Sequence, residues 1–81
     1  MIVRMNLFAL AKEICGASSV ELTVPEQAQV SDVRRALVST YPAFAPLMSS
    51  AMFAIDTEYV SDDFPLNEGV QVACILPVSG G

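Results

Sequence analysis

The sequence predicts an α+β domain in which a mixed β-sheet packs against one main helix, with an additional short helix beside it. Three observations carry this reading. Several short segments alternate apolar and polar residues with the two-residue period of half-buried strands. One stretch, residues 31–40, instead spaces its apolar residues for a helix. The chain has 81 residues, 53% of them hydrophobic, which is enough for one core and leaves no room for a second.

The elements follow in order. Residues 2–8 form a strand with Val3, Met5 and Leu7 on one face and Arg4, Asn6 and Phe8 on the other. Residues 10–15 are helix formers and stop at Gly16, suited to the left-handed residue that closes a helix. Val20, Leu22 and Val24 alternate with Glu21 and Thr23 until Pro25 ends the second strand. Ser31 is placed to cap the main helix, and Asp32 falls in its first turn, where a negative charge suits the helix dipole. Val33, Leu37 and Tyr41 then share one stripe. Pro42 disfavours helical geometry at Tyr41, so the helix ends near Thr40.

Residues 43–50, with Pro46 among them, are either a second short helical turn or an irregular loop. Residues 52–55 and 58–60 flank Asp56-Thr57 and read as a hairpin, since an aspartate tolerates the positive φ such turns demand. Residues 65–69 form another turn cluster. Residues 70–76 make the last strand, apolar enough to lie centrally and hydrogen-bond on both sides.

Charge and composition narrow the function classes. The net charge is -5, and no basic residue follows Arg35. A nucleic-acid surface needs lysine and arginine, so that class is set aside. The acidity either steers the protein toward a basic partner or keeps an apolar domain in solution. No stretch approaches the roughly 18–20 apolar residues of a spanning helix, and Asn6 and Lys12-Glu13 interrupt the apolar run that a signal peptide would need. A cytoplasmic protein away from membranes is expected.

Self-sufficient catalysis is not expected either. The sequence has no histidine, and Cys15 and Cys74 lack the spacing of a zinc site, so no metal is assigned. Cys74 sits in an apolar strand, where cysteine acts as a small buried hydrophobe. The unusual feature is the end, Pro77-Val78-Ser79-Gly80-Gly81. Two glycines fall together at one position by chance about 0.5% of the time at average usage, and a frayed tail or purification scar gives the same residues. Without Cβ atoms, Gly80 and Gly81 can enter a narrow channel closed to other residues. Pro77 lacks an N–H and ends a ladder, directing the chain off the sheet. An α-carboxylate is ionised at neutral pH and is a poor electrophile, so chemistry at Gly81 requires activation by a partner.

Over nearly its whole length the chain resembles the small subunits of molybdopterin synthase, ubiquitin-like β-grasp proteins often called MoaD. The shared pattern comprises Leu7-Phe8-Ala9 leading into a helix closed by Gly16, a hairpin from Ala54-Ile55-Asp56 to Tyr59-Val60, the turn Pro65-Leu66-Asn67-Glu68-Gly69, and the terminal Pro77-Val78-Ser79-Gly80-Gly81. The terminal match is the most specific element. The resemblance implies a β-grasp domain over residues 1–76 and a flexible tail over 77–81.

It also implies a cycle. An E1-like adenylyltransferase/sulfurylase uses ATP to adenylate Gly81, and a sulfur donor converts it to a thiocarboxylate. Pro77, Val78, Ser79 and Gly80 thread into the large subunit of the synthase, where sulfur passes to cyclic pyranopterin monophosphate. Two carriers supply the two dithiolene sulfurs in a heterotetramer. The carrier itself binds no cofactor and is a sulfur-donating subunit, not a catalyst. Phe8, Tyr59 and Ile75 match the family's apolar docking patch, the other reading being that they are core. Asp56 stands where asparagine is common and Ile75 where an aromatic is common. Carriers for thiamine, cysteine or tRNA thiolation share the tail, as do modifiers that end in isopeptide bonds. Residues 43–52, a segment that thiamine carriers lack, favour the molybdopterin type.

Overall fold

The computed structural model describes residues 1–76. Five strands and two helices occur in the order β1 (Ile2–Leu7), α1 (Ala9–Cys15), β2 (Ser19–Thr23), α2 (Val30–Thr40), β3 (Met52–Ile55), β4 (Glu58–Val60) and β5 (Gln71–Ile75), with a 3-10 segment, Pro42–Leu47, after α2. The sheet order is β2-β1-β5-β3-β4. The last strand is central, as its apolar run predicts, pairing parallel with β1 and antiparallel with β3. The sheet is therefore mixed, and the predicted α+β class holds.

The two-residue period sorts side chains cleanly. Val3, Met5 and Leu7 on β1, Leu22 on β2, Phe53 on β3 and Val72 and Cys74 on β5 enter one core with Val33 and Leu37 of α2 and Phe44 of the 3-10 segment. Each large side chain so buried contributes on the order of 1.5–3 kcal/mol. The helix α2 presents Val30, Val33 and Leu37 to this core, three residues at the helical spacing that brings them onto one face. Gly16 closes α1 at φ 72, in the left-handed region.

The start of α2 differs from the sequence expectation. Gln29, not Ser31, is the N-cap. The Ser31 N–H donates to the Asp62 carbonyl (2.9 Å) and the Val30 N–H to the Phe64 carbonyl (3.1 Å). Loop carbonyls thus satisfy amides that a side-chain cap would otherwise serve. Asp32 reaches back, accepting from the Gln29 N–H at 2.8 Å. That bond, helped by Arg35, holds the Asp32 carboxyl below the usual carboxylate range. The far end behaves as expected, with Tyr41 non-helical at φ -128 before Pro42.

The Asp56-Thr57 connection joins β3 to β4 with both residues at positive φ, 51° and 67°. This is the geometry of a two-residue hairpin turn whose twist matches its strands. The Arg34 guanidinium pins the far side of the core. It donates to the Met48 and Ala51 carbonyls, pairs with Asp62 at 2.7 Å, and stacks 4.9 Å from the Phe53 ring centre.

Candidate functional site at the open face and the strand that leads to the tail

Only one face of the sheet meets α2, and the other face collects the residues of opposite parity. Registers give their layout. Met52 lies directly opposite Ile75, Ala54 lies opposite both Ala73 and Tyr59, and Ala73 is level with Asn6. The β1–β5 register pairs Leu7 with Cys74, and Phe8 continues β1 in extended geometry at φ -130, ψ 151. One more step therefore sets Phe8 level with Ile75. Two rows result: Phe8, Ile75 and Met52 across the rim, then Ala73, Ala54 and Tyr59 behind it.

Phe8 is 56% exposed, Tyr59 62% and Met52 46%, while Ile75 is half-buried. The reading of Phe8 and Tyr59 as core residues is thereby excluded for the described chain. An apolar cluster of this kind, left open on one sheet face, is the usual mark of an interaction surface. Small side chains at Ala54 and Ala73 keep the middle of the cluster low, and the larger Phe8, Met52 and Tyr59 stand around it. The other half of the same face is polar, with Arg4 and Glu21 paired across β1 and β2 at 3.3 Å.

Sequence parity identified Phe8 and Ile75, and the resemblance identified Tyr59. Met52, Ala54 and Ala73 were missed. Alternation puts them on the outer face, but their union with Phe8 depends on β5 lying between β1 and β3, which pattern alone does not state.

The chain leaves β5 at this rim. Ile75 ends the strand and Leu76 is the last described residue; Pro77, Val78, Ser79, Gly80 and Gly81, assigned above to the tail, lie outside the described residues. Beside Phe8 a shallow groove is lined by Asn6, Ala9, Lys12, Ser18 and Ser19. Ala9 itself takes φ 49, a conformation costing an L-residue roughly 1–2 kcal/mol. It turns the chain sharply from β1 into α1 and leaves the Phe8 ring outside the core.

The thiols are set against nucleophilic work. Cys74 is fully buried, and burial first, then the charge of Cys15, pushes it up to about 11 despite Arg34. Burial raises Cys15 as well. A nucleophilic cysteine needs the reverse shift. No group of three metal-ligating side chains converges among the described residues, and no helix there is long and apolar enough to cross a membrane.

Comparison with known proteins bears on the whole chain. A family model described as the ThiS family matches residues 5–81. The chain is 30% identical over 83 residues to a molybdopterin synthase sulfur carrier subunit of Chlamydomonas reinhardtii, with 100% of both chains covered. The protein of the same name in Dictyostelium discoideum is 33% identical over 81 residues, covering 96% of this chain and 94% of that one. Among solved structures, SAMP1 of Haloferax volcanii, a small archaeal modifier protein, superposes with a TM-score of 0.85 at 26% identity and full coverage of both chains. The fold is thus the ubiquitin-like β-grasp.

Proposed function

This chain belongs to the ThiS family, and we propose that it is a sulfur carrier of the molybdopterin synthase type, charged at Gly81 and emptied inside a larger partner subunit. The observation that carries the reading is end-to-end correspondence with proteins named as such carriers. It is joined by a central strand that delivers the tail from a rim of exposed apolar side chains.

The chemistry follows from what the chain lacks. A terminal carboxylate resists nucleophiles because its charge is delocalised and it has no good leaving group. Adenylation by an ATP-using, E1-like enzyme makes Gly81 a mixed anhydride. A sulfur donor then displaces AMP and leaves a thiocarboxylate. The Phe8, Tyr59 and Ile75 surface, extended by Met52, docks on the large subunit. Pro77, Val78, Ser79 and Gly80 carry Gly81 into that subunit's active site, where its sulfur passes to cyclic pyranopterin monophosphate. The large subunit supplies the acids and bases, so the carrier needs no bound cofactor and works in the cytoplasm.

Full-length similarity to a small archaeal modifier protein favours a second reading, in which activated Gly81 is passed to lysines of other proteins. Deletion of Gly80 and Gly81 tests the carrier assignment. Folding rests on residues before the tail, so thermal unfolding should stay near that of the full chain, while sulfuration of the pterin by the reconstituted synthase is lost. Retained sulfuration after the deletion would sink the proposal.

A further inference from the structure

The sequence holds four methionines and two cysteines, and the fold sets one of these sulfurs apart. Met5 is fully buried and Met48 is 6% exposed, while the Met1 side chain is 4% exposed. Met52 alone lies open, at 46%. Burial raises the pKa of the Cys15 thiol and pushes that of the wholly covered Cys74 up to about 11. Thiols are oxidised through the thiolate, so both cysteines are slow in neutral or mildly acidic water. A thioether has no proton to lose, and its reactivity follows its exposure.

Met52 also stands where a new polar atom matters most. It is the first residue of β3 and lies directly opposite Ile75, on the face that α2 leaves open and in the rim that Phe8 completes. Its neighbours on that face are Ile75 and, two residues along the strand, Ala54, and neither side chain has a hydrogen-bond donor. A sulfoxide oxygen at Met52 stays hydrated in the free protein. Under a docked apolar surface that water has to leave, and an acceptor buried without a donor disfavours the bound state. Met52 is not among the side chains packed in or against the core, so the same oxygen leaves folding alone.

We propose that Met52 is a reversible oxidation site that controls docking: hydrogen peroxide converts its thioether to the sulfoxide, and the oxidised chain seats poorly on the large subunit. The inference rests on the docking role proposed for this face. In the step itself, the thioether sulfur attacks one peroxide oxygen. The S–O bond forms and the O–O bond breaks; the departing oxygen takes the proton shed by the transferred one and leaves as water. Sulfur loses two electrons and the peroxide gains them. Methionine sulfoxide reductases, one for each sulfoxide epimer, reverse the change with two thiols, which become a disulfide as the oxygen leaves as water.

The full chain is treated with hydrogen peroxide at about pH 5, where both thiols are protonated, and oxygen uptake is located by intact mass and peptide mapping. Met52 should take up one oxygen at least roughly tenfold faster than Met1, Met5 or Met48. The oxidised chain should melt like the untreated one and bind the purified large subunit between about fivefold and a hundredfold more weakly in calorimetry. The two reductases with dithiothreitol should restore the binding. Met52→Leu supplies the comparison: whatever affinity it starts from, peroxide should leave that affinity unchanged. Oxidation spread evenly over the four methionines, undiminished binding by the Met52 sulfoxide, or an equal loss of binding by peroxide-treated M52L would each overturn the proposal. An untreated chain that binds no large subunit contradicts the docking reading and with it the control of docking, while the mapping alone judges Met52 as the oxidation site.

Discussion

Phe53 and Met52 are consecutive residues of β3, yet Phe53 is 1% exposed beneath α2 while Met52 is 46% exposed on the opposite face. The same division runs across the sheet. Leu7 and Cys74 are buried on the core side, and their sequence neighbours Phe8 and Ile75 form the rim on the open side. Both faces are apolar near the end of β5, so apolarity alone does not distinguish a residue that holds the fold together from one available to a partner. What distinguishes them is whether another element covers the face. The helix α2 covers one, and nothing among the described residues covers the other.

The largest effect expected from breaking this division is at Phe53. Phe53→Ala removes a ring packed in the core and under Arg34, and should cost about 3–5 kcal/mol in denaturant-induced unfolding. Tyr59→Ala, on the edge strand beside β3 and 62% exposed, should change unfolding by no more than about 0.5 kcal/mol. The same substitution should weaken binding to the large subunit by about 2 kcal/mol, the size of an aromatic hot spot, as read by calorimetry. If both variants unfold alike, the two faces are not the separate surfaces described here.

Most of the fold is legible in the sequence because each element carries its own local signal. Gly16 ends α1, Pro42 ends α2, and Asp56 turns the hairpin, each through backbone preferences that do not depend on distant residues. The cap of α2, at Gln29 in place of Ser31, is hidden from the sequence for the opposite reason. Ser31 has the right chemistry, but its amide is taken by Asp62, a residue some thirty positions later whose approach no local pattern reveals. The site divides the same way. Phe8 and Ile75 follow from parity, while Met52, Ala54 and Ala73 join them only through the β1-β5-β3 order. The role proposed for Gly81 rests on resemblance and on chemistry, and Gly81 lies outside the described residues.

The smallest expected effect concerns the helix that covers the core face. Asp32 has its pKa lowered in the folded protein, chiefly by the Gln29 N–H. A group depressed on folding stabilises the native state above its unfolded pKa, and that contribution disappears as pH falls through the folded value. Asp32→Ala should therefore lower stability modestly at neutral pH, and the gap to wild type should close as the solution is acidified below the ordinary aspartate range. Thermal melts across that range read this directly, and a gap that widens in acid would contradict the cap.

One side of the sheet holds the fold together, the other is proposed to dock the partner that receives Gly81, and the charge state of Gly81 tests the proposed carrier role most directly. The full chain is incubated with ATP, a sulfur source and the cognate activating enzyme, and its intact mass and C-terminal peptide are measured. A carrier gains the mass of one oxygen replaced by sulfur, confined to the peptide ending in Gly81. An unchanged mass, in a reaction that charges a known carrier, or a yield of higher-mass conjugates alone, would contradict it.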